Sequence, residues 1–258
     1  MKKLTMLFLL VLFSSSFSIQ KMKNDKTLLL VVAHPDDETA FAEVLIKYRM
    51  LGYQVYQIIA TDGKYGVRVT SIPEGDSLAY VRQQESICSA EKMGIEKPIF
   101  FSIDRLDTRN GVRNYFNAHH ALRDSLTHRI PSINPDFILT FGPDGDSHHT
   151  EHIVVGSAVT EIILQQGWVD KYPLYYLAYT KDSFVGLEEL GFLDEKYINV
   201  EVSYSQEEEL IGLEAYKCFQ SQFTVEELQE DYLSKLNDTL NKTFFRRFAV
   251  KEGKQVGF

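Results

Sequence analysis

The chain has 258 residues, 44% of them hydrophobic and 12% aromatic, enough to bury one sizeable core and too apolar for a disordered chain. A formal net charge of -9 and a pI near 5.3 leave no basic footprint. That excludes nucleic-acid binding through phosphate neutralisation and makes a neutral or cationic ligand easier to accept.

Residues 1–18 place Lys2 and Lys3 ahead of an apolar run from Leu4 to Phe13, then close on the small residues Ser16-Phe17-Ser18, the layout of a secretory signal. The run falls short of the roughly 20 residues that span a bilayer. The expectation is a cleaved signal over 1–18 and a single mature domain over 19–258, exported to the periplasm or the medium with no stable membrane span. Of the two cysteines, Cys88 and Cys218, neither has a CxxC spacing, so both are expected to be buried small hydrophobes rather than zinc ligands. Export permits a disulfide, but their separation in sequence does not decide whether they meet.

Residues 27–33, TLLLVVA, form a continuous apolar run of the kind found in a strand covered on both faces. The helical pattern ETAFAEVLIKYRMLG follows and ends at Gly52. A second strand, QVYQIIA, leads into Thr61-Asp62-Gly63. Next come a helix over about 78–92 closed by Gly94, a strand at 98–102, a helix over about 115–130, the strand DFILTFG at 136–142, and a helix from about 149 to 166. PLYYLAY and INVEVSYS add strands. Residues 206–236 look helical, and their glutamates are expected to form a solvated face. Strands alternating with helices predict an α/β fold, Rossmann-like, with a largely parallel sheet covered on both faces and ligands bound at the carboxyl ends of the strands.

Two polar clusters fall at that edge. In the first, His34-Pro35-Asp36-Asp37-Glu38, His34 and Asp37 are spaced so that one helical turn aims both side chains the same way, an imidazole and a carboxylate suited to a zinc-like ion. Asp36 is left for other work. Helix capping explains one or two acids there, but not three in a row behind a histidine at the end of a buried strand. The second cluster is Pro143-Asp144-Gly145-Asp146-Ser147-His148-His149-Thr150-Glu151-His152, a glycine-containing loop entering a helix. His152 can complete a His-Asp-His set with His34 and Asp37, leaving a fourth position for water. On its own, HxxH equally suits a solvated His-rich loop. His119, His120 and His128 lie in a predicted helix and are expected to be surface or packing residues.

A strand followed by A-H-P-D-D-E, then a later strand, glycine-containing loop and H-x-x-H, resembles the PIG-L/LmbE-like zinc-dependent N-acetylglucosaminyl deacetylase family. Thr61-Asp62-Gly63-Lys64-Tyr65-Gly66 is similar to its T-x-G-x-x-G turn, and Arg82 to Glu85 to its R-x-x-E helix. The resemblance implies an LmbE-like fold with Zn2+ as the cofactor. His34, Asp37 and His152 would be the metal ligands, Asp36 the general base, His149 the group that steadies the oxyanion, and Arg82 a residue on the substrate side of the pocket. It also implies removal of the N-acetyl group from an N-acetylglucosamine-type amino sugar. Glu151 stands where relatives commonly have Asp, and Ser147 where some have Tyr. Asp104 or Asp107, at the same sheet edge, is expected to meet sugar hydroxyls. Two other functions remain open from sequence: a zinc hydrolase acting on another amide or ester, and a non-catalytic carbohydrate-binding relative.

Overall fold

The computed structural model of the protein describes residues 25–180, 191–237 and 240–256; the expected signal over 1–18 lies outside them. One sheet contains β1 (Thr27–Val32), β2 (Gln54–Thr61), β3 (Ile99–Ile103), β4 (Phe137–Thr140), β5 (Leu174–Ala178), β6 (Val200–Ser203) and β7 (Lys242–Arg247). Their spatial order is β3-β2-β1-β4-β5-β7-β6. The pairs from β3 through β5 are parallel, whereas β7 runs antiparallel to both β5 and β6. The helices are α1 (Ala42–Met50), α2 (Asp76–Met93), α3 (Val112–Ile133), the single-turn α4 (Gly145–His148), α5 (Thr150–Gln165), α6 (Gln206–Tyr216) and α7 (Val225–Asn237).

The expected α/β architecture is present, and its cause is visible in β1, which is buried at every position. Leu29 and Val31 face a core built with Leu122, Leu126 and Ile130 of α3 and Val155, Val159 and Ile162 of α5. Leu28, Leu30 and Val32 face the opposite core with Val44, Leu45 and Ile46 of α1. An apolar strand of this kind is stable only when both faces are covered, each buried aliphatic side chain contributing about 1.5–3 kcal/mol. The chain runs outward from β1 to β2 and β3, then returns to place β4 on the other side of β1. The order therefore reverses between β1 and β4, the point at which sheets of this kind open a crevice at their carboxyl ends.

One expectation needs correction, and two features go beyond what the sequence predicts. The strand β7, KTFFRR, has no clean alternation, and it inserts between β5 and β6 rather than adding at the end. The helix expected over 206–236 is two helices, each opened by a reciprocal capping box, Ser205 with Glu208 and Thr224 with Glu227. Glu208 and Glu209 are buried, so the acidic run is not simply a solvated face. Finally, Cys88 of α2 and Cys218, just past α6, are joined in a disulfide with a Cα–Cα distance of 5.9 Å. The α2 and α6 helices pack on each other and bring together what the sequence separates. Among the described residues no helix is long and apolar enough to cross a membrane.

The disulfide closes a sequence separation of 130 residues. Replacing both cysteines by alanine is expected to destabilise the domain by about 2–5 kcal/mol, because the unfolded chain regains the entropy of an open loop. A lowered urea midpoint with an unchanged far-UV spectrum is the expected readout; an unshifted midpoint would show that the packing of α2 on α6 makes the link redundant.

Candidate active site

Both expected clusters stand at the β1/β4 reversal. After β1 the chain enters a 3-10 turn, Asp37–Phe41, and its three acids take different tasks. Asp37 Oδ2 accepts from the backbone N–H groups of Ala33 and His34 at 2.9 and 2.7 Å. Glu38 is fully buried and accepts from the Asp36 N–H at 2.9 Å. Capping thus accounts for Glu38 and one oxygen of Asp37. It does not account for Asp37 Oδ1 or for Asp36, whose backbone sits at φ 108, a strained value for a side-chain-bearing residue that costs about 1–3 kcal/mol.

After β4, Asp146 at φ 57 and His148 at φ 59 turn the chain into α5. His149 caps that helix, its Nδ1 accepting from the Glu151 N–H at 3.3 Å. His152, one turn on, stacks on Phe141 with ring centroids 4.1 Å apart. Glu151 Oε2 meets His34 Nε2 at 2.8 Å, while its Oε1 accepts from the Leu106 N–H at 2.6 Å. Asp146 Oδ1 meets His152 Nδ1 at 2.9 Å.

These pairings settle which ring atoms remain for a cation. With His34 Nε2 and His152 Nδ1 held by carboxylates, His34 Nδ1 and His152 Nε2 are left, and they converge on Asp37, at 3.5 Å from Oδ2 and 3.0 Å from Oδ1 respectively. Two imidazoles and a carboxylate, each imidazole steadied through its far nitrogen by an acid, make a donor set of the zinc type. His149 is also close, since His34, His149 and His152 can each bring a ring nitrogen within 4.8 Å of the others. Its Nδ1 is already an acceptor, however, so the neutral ring carries its proton on Nε2 and is a donor there rather than a ligand.

Electrostatics follow the same division. Burial alone would lower the His34 imidazole, but Asp37 and Glu151 raise it to about 9; against the same burial, Asp37 and Asp146 raise His152 to about 10. Asp37, although buried, is held well below the carboxylate range by the two imidazoles. Burial pushes Asp36 up to about 6, with Arg82 opposing the rise and Asp37 adding to it. Burial, then the positive charge on His34 and His152, lowers His149.

Arg82 of α2 is buried, and both terminal nitrogens of its guanidinium are committed to the protein. Nη2 pairs with Asp36 Oδ1 at 3.0 Å and donates to Pro35 O, and Nη1 donates to Gly63 O at 3.2 Å. The glycines of the T-D-G-K-Y-G turn make room for it: a Cβ on Gly66 would lie 2.0 Å from Nη1, and one on Gly63, at φ 70, 2.8 Å from the same atom. Arg82 does border the pocket, as expected, but its contacts make it the support of Asp36 and not a free arm for substrate.

The pocket has a volume of about 350 Å³ and joins both clusters to Tyr65, Arg68, Arg105, Arg109 and Gln222. A larger cavity of about 540 Å³, near Ile198 and Phe244, contains none of the clustered residues. Neither Asp104 nor Asp107 borders the site. Asp107 is taken by Arg105 at 3.1 Å and Arg109 at 2.5 Å, and Asp104 by Lys64 at 3.3 Å, so the arginines face the cavity in their place. His119 stacks on Tyr115 in α3, apart from the site. The sequence reading missed Asp146, one of two acids in a loop whose positive φ it could not foresee, and Gln222, which no motif marks.

With two imidazoles raised to about 9 and 10, the metal-free site holds two protons at pH 7 that a divalent cation must displace. A divalent cation bound here is therefore expected to release about two protons, measured by calorimetry in buffers of different ionisation enthalpy, and to bind more tightly as pH rises toward 9. Asp146→Asn is expected to weaken that binding by about tenfold or more in a chelator competition with added zinc, as loss of a carboxylate behind a ligating histidine does; unchanged affinity would give Asp146 no part in holding a cation.

A family model described as PIG-L, GlcNAc-PI de-N-acetylase, matches residues 29–163. A 1D-myo-inositol 2-acetamido-2-deoxy-alpha-D-glucopyranoside deacetylase of Mycolicibacterium vanbaalenii is 26% identical over 191 residues, 67% of this chain and 66% of that one. A probable N-acetyl-alpha-D-glucosaminyl L-malate deacetylase 2 of Bacillus anthracis is 26% identical over 55% of this chain and 61% of its own. The chain thus spans somewhat under two thirds of these relatives. Among solved structures, the N,N'-diacetylchitobiose deacetylase of Pyrococcus horikoshii shares the fold with a TM-score of 0.61 at 21% identity, covering 90% of this chain and 87% of that one. The 4-carboxy-2-hydroxymuconate hydratase of Pseudomonas putida shares it at 0.56 and 15%, covering 90% and 100%. Matched over more than half its length by the family model, the chain belongs to the PIG-L family.

Proposed function

We propose that the protein is an exported, zinc-dependent N-deacetylase that releases acetate from an N-acetylglucosamine-type amino sugar or glycoconjugate. The observation that carries the reading is Asp36. A carboxylate raised to about 6 lines the same pocket as an intact two-imidazole, one-carboxylate set and a histidine whose Nδ1 is already an acceptor. Names of relatives supply the substrate class. Support for export comes from residues 1–18 and from the Cys88–Cys218 disulfide, a bond that persists in oxidising compartments.

His34, Asp37 and His152 would hold a zinc ion, which when bound would supply water activation and carbonyl polarisation. The chain's own groups do the rest. Asp36 Oδ accepts the proton of the attacking water; Arg82, on its other oxygen, keeps it aimed. His149 Nε2–H donates to the oxyanion that develops on the acetyl group, and this needs only the neutral ring, a contribution of about 3 kcal/mol for such a donor. Asp36 then returns the proton to the departing amine. Glu151 and Asp146 hold the two ligating rings in the tautomers this geometry requires.

The same fold in a hydratase shows that architecture alone leaves the reaction open. A panel of N-acetylated amino sugars, assayed for acetate and free amine with and without a chelator, decides among the alternatives. Chelator-sensitive acetate release supports the proposal. Ester or peptide cleavage without deacetylation, or sugar binding without turnover, overturns it. Asp36→Asn is expected to keep zinc and lose at least a hundredfold in kcat, whereas His152→Ala loses the zinc itself; wild-type turnover by the Asp36 variant would take Asp36 out of the mechanism.

A further inference from the structure

One wall of the pocket comes from the link between α6 and α7, beyond the residues that the family model matches. It is tied down from α2, where Arg82, Glu85 and Cys88 recur every three residues along one helix face. Arg82 reaches Asp36; Glu85 accepts from Ser221 N at 2.7 Å and from Ser221 Oγ at 2.6 Å; Cys88 is bonded to Cys218. The next residue, Gln222, is 4% exposed and borders the pocket. Its Nε2 donates to Gly66 O at 2.8 Å and contacts Ser221 O and Ser221 Oγ at 3.0 and 3.1 Å, and its backbone carbonyl accepts from Arg68. Two carbonyl oxygens around one terminal atom identify that atom as the nitrogen, so the orientation of the amide is fixed. Oε1 is then the acceptor left over, and among the described residues nothing donates to it. A buried side chain on the wall of a cavity, with its donor committed to the turn carrying Gly66 and no protein donor for its acceptor, is suited to receive a donor from what enters that cavity.

We propose that Gln222 is a substrate-contacting, specificity-determining residue whose Oε1 accepts a hydrogen bond from one ring hydroxyl of the amino sugar, held in place by the Glu85–Ser221 contacts and the Cys88–Cys218 disulfide. This rests on the deacetylase reading above. It places part of the substrate choice in a segment that lies outside the residues the family model matches.

The test uses the full zinc-loaded chain and N-acetylglucosamine with its 3-, 4- and 6-deoxy derivatives, comparing wild type with Gln222→Leu and with Gln222→Asn, which keeps the amide but withdraws it by one methylene. For the parent sugar, both variants are expected to raise KM about tenfold or more, with kcat within about threefold of wild type and zinc content unchanged. One deoxy sugar should suffer the same loss with wild type and no further loss with either variant, while the others lose equally in all three enzymes. That non-additivity is a readout that a merely structural glutamine would not give. Removing the disulfide by Cys88→Ala with Cys218→Ala should weaken discrimination at that same hydroxyl and no other. If every deoxy penalty is the same in wild type and variants, or if the variants lose kcat and zinc together, Gln222 is structural and the proposal is overturned. If wild type deacetylates no N-acetylated amino sugar at all, the deacetylase reading fails first, and this inference with it.

Discussion

A buried guanidinium organises the site. Arg82 is 3% exposed, and a cation taken that far from water is tolerated only when carboxylate and carbonyl groups surround it. Its partners are Asp36 and Pro35 on the loop after β1 and Gly63 on the turn after β2, while Arg82 itself rides on α2. Satisfying one charge therefore locks three segments into a single arrangement. The absence of side chains at Gly63 and Gly66 follows from the space that guanidinium fills. So does the endurance of the Asp36 backbone at φ 108: losing either partner strands the other's buried charge, a penalty of about 3–5 kcal/mol that exceeds the strain.

Around that pair, the second requirement is direction. An imidazole can ligate through either nitrogen, and a loose ring would spread its lone pairs over many positions. Here each far nitrogen is claimed by an acid, His34 by Glu151 and His152 by Asp146. Glu151 and His152 are consecutive in α5 and so point to different sides of the helix. The glutamate reaches across to the β1 loop while the histidine faces Asp37. The added methylene of Glu151, relative to an aspartate, is put to use: one carboxylate spans His34 and the Leu106 N–H, linking the loop after β3 to the metal-type cluster.

What the sequence showed of this depended on how local the signal was. The run from Leu28 to Val32, the A-H-P-D-D-E element and the H-x-x-H pair are each read within a few residues, and the sheet delivers both clusters to one edge because its strands are parallel. Asp146 was hidden because its role needs a left-handed backbone that its composition does not announce. The division of α6 from α7 was legible in the two S/T-x-x-E boxes but was masked by the abundance of glutamate. The Cys88–Cys218 bond, the insertion of β7 and the placement of Gln222 are long-range outcomes of helix and strand packing, and no window of the sequence contains them.

Net charge shows the same limit from another side. At -9 the chain repels polyanions as a whole. Yet Lys64, Arg68, Arg105 and Arg109 all border the pocket, and Asp104, Glu227 and Asp107, which neutralise them, do not. Cations therefore face the cavity and most of their counter-charges stand behind it. Arg105, buried and held by Asp107, has lost its freedom to swing, so it presents fixed N–H donors suited to the hydroxyl and carbonyl oxygens of a polar ligand. A site of that character and one carrying a different reaction can occupy the same sheet, because the fold supplies only the edge. The choice of chemistry lies in which atoms at that edge remain uncommitted once the protein's own charges have been paired.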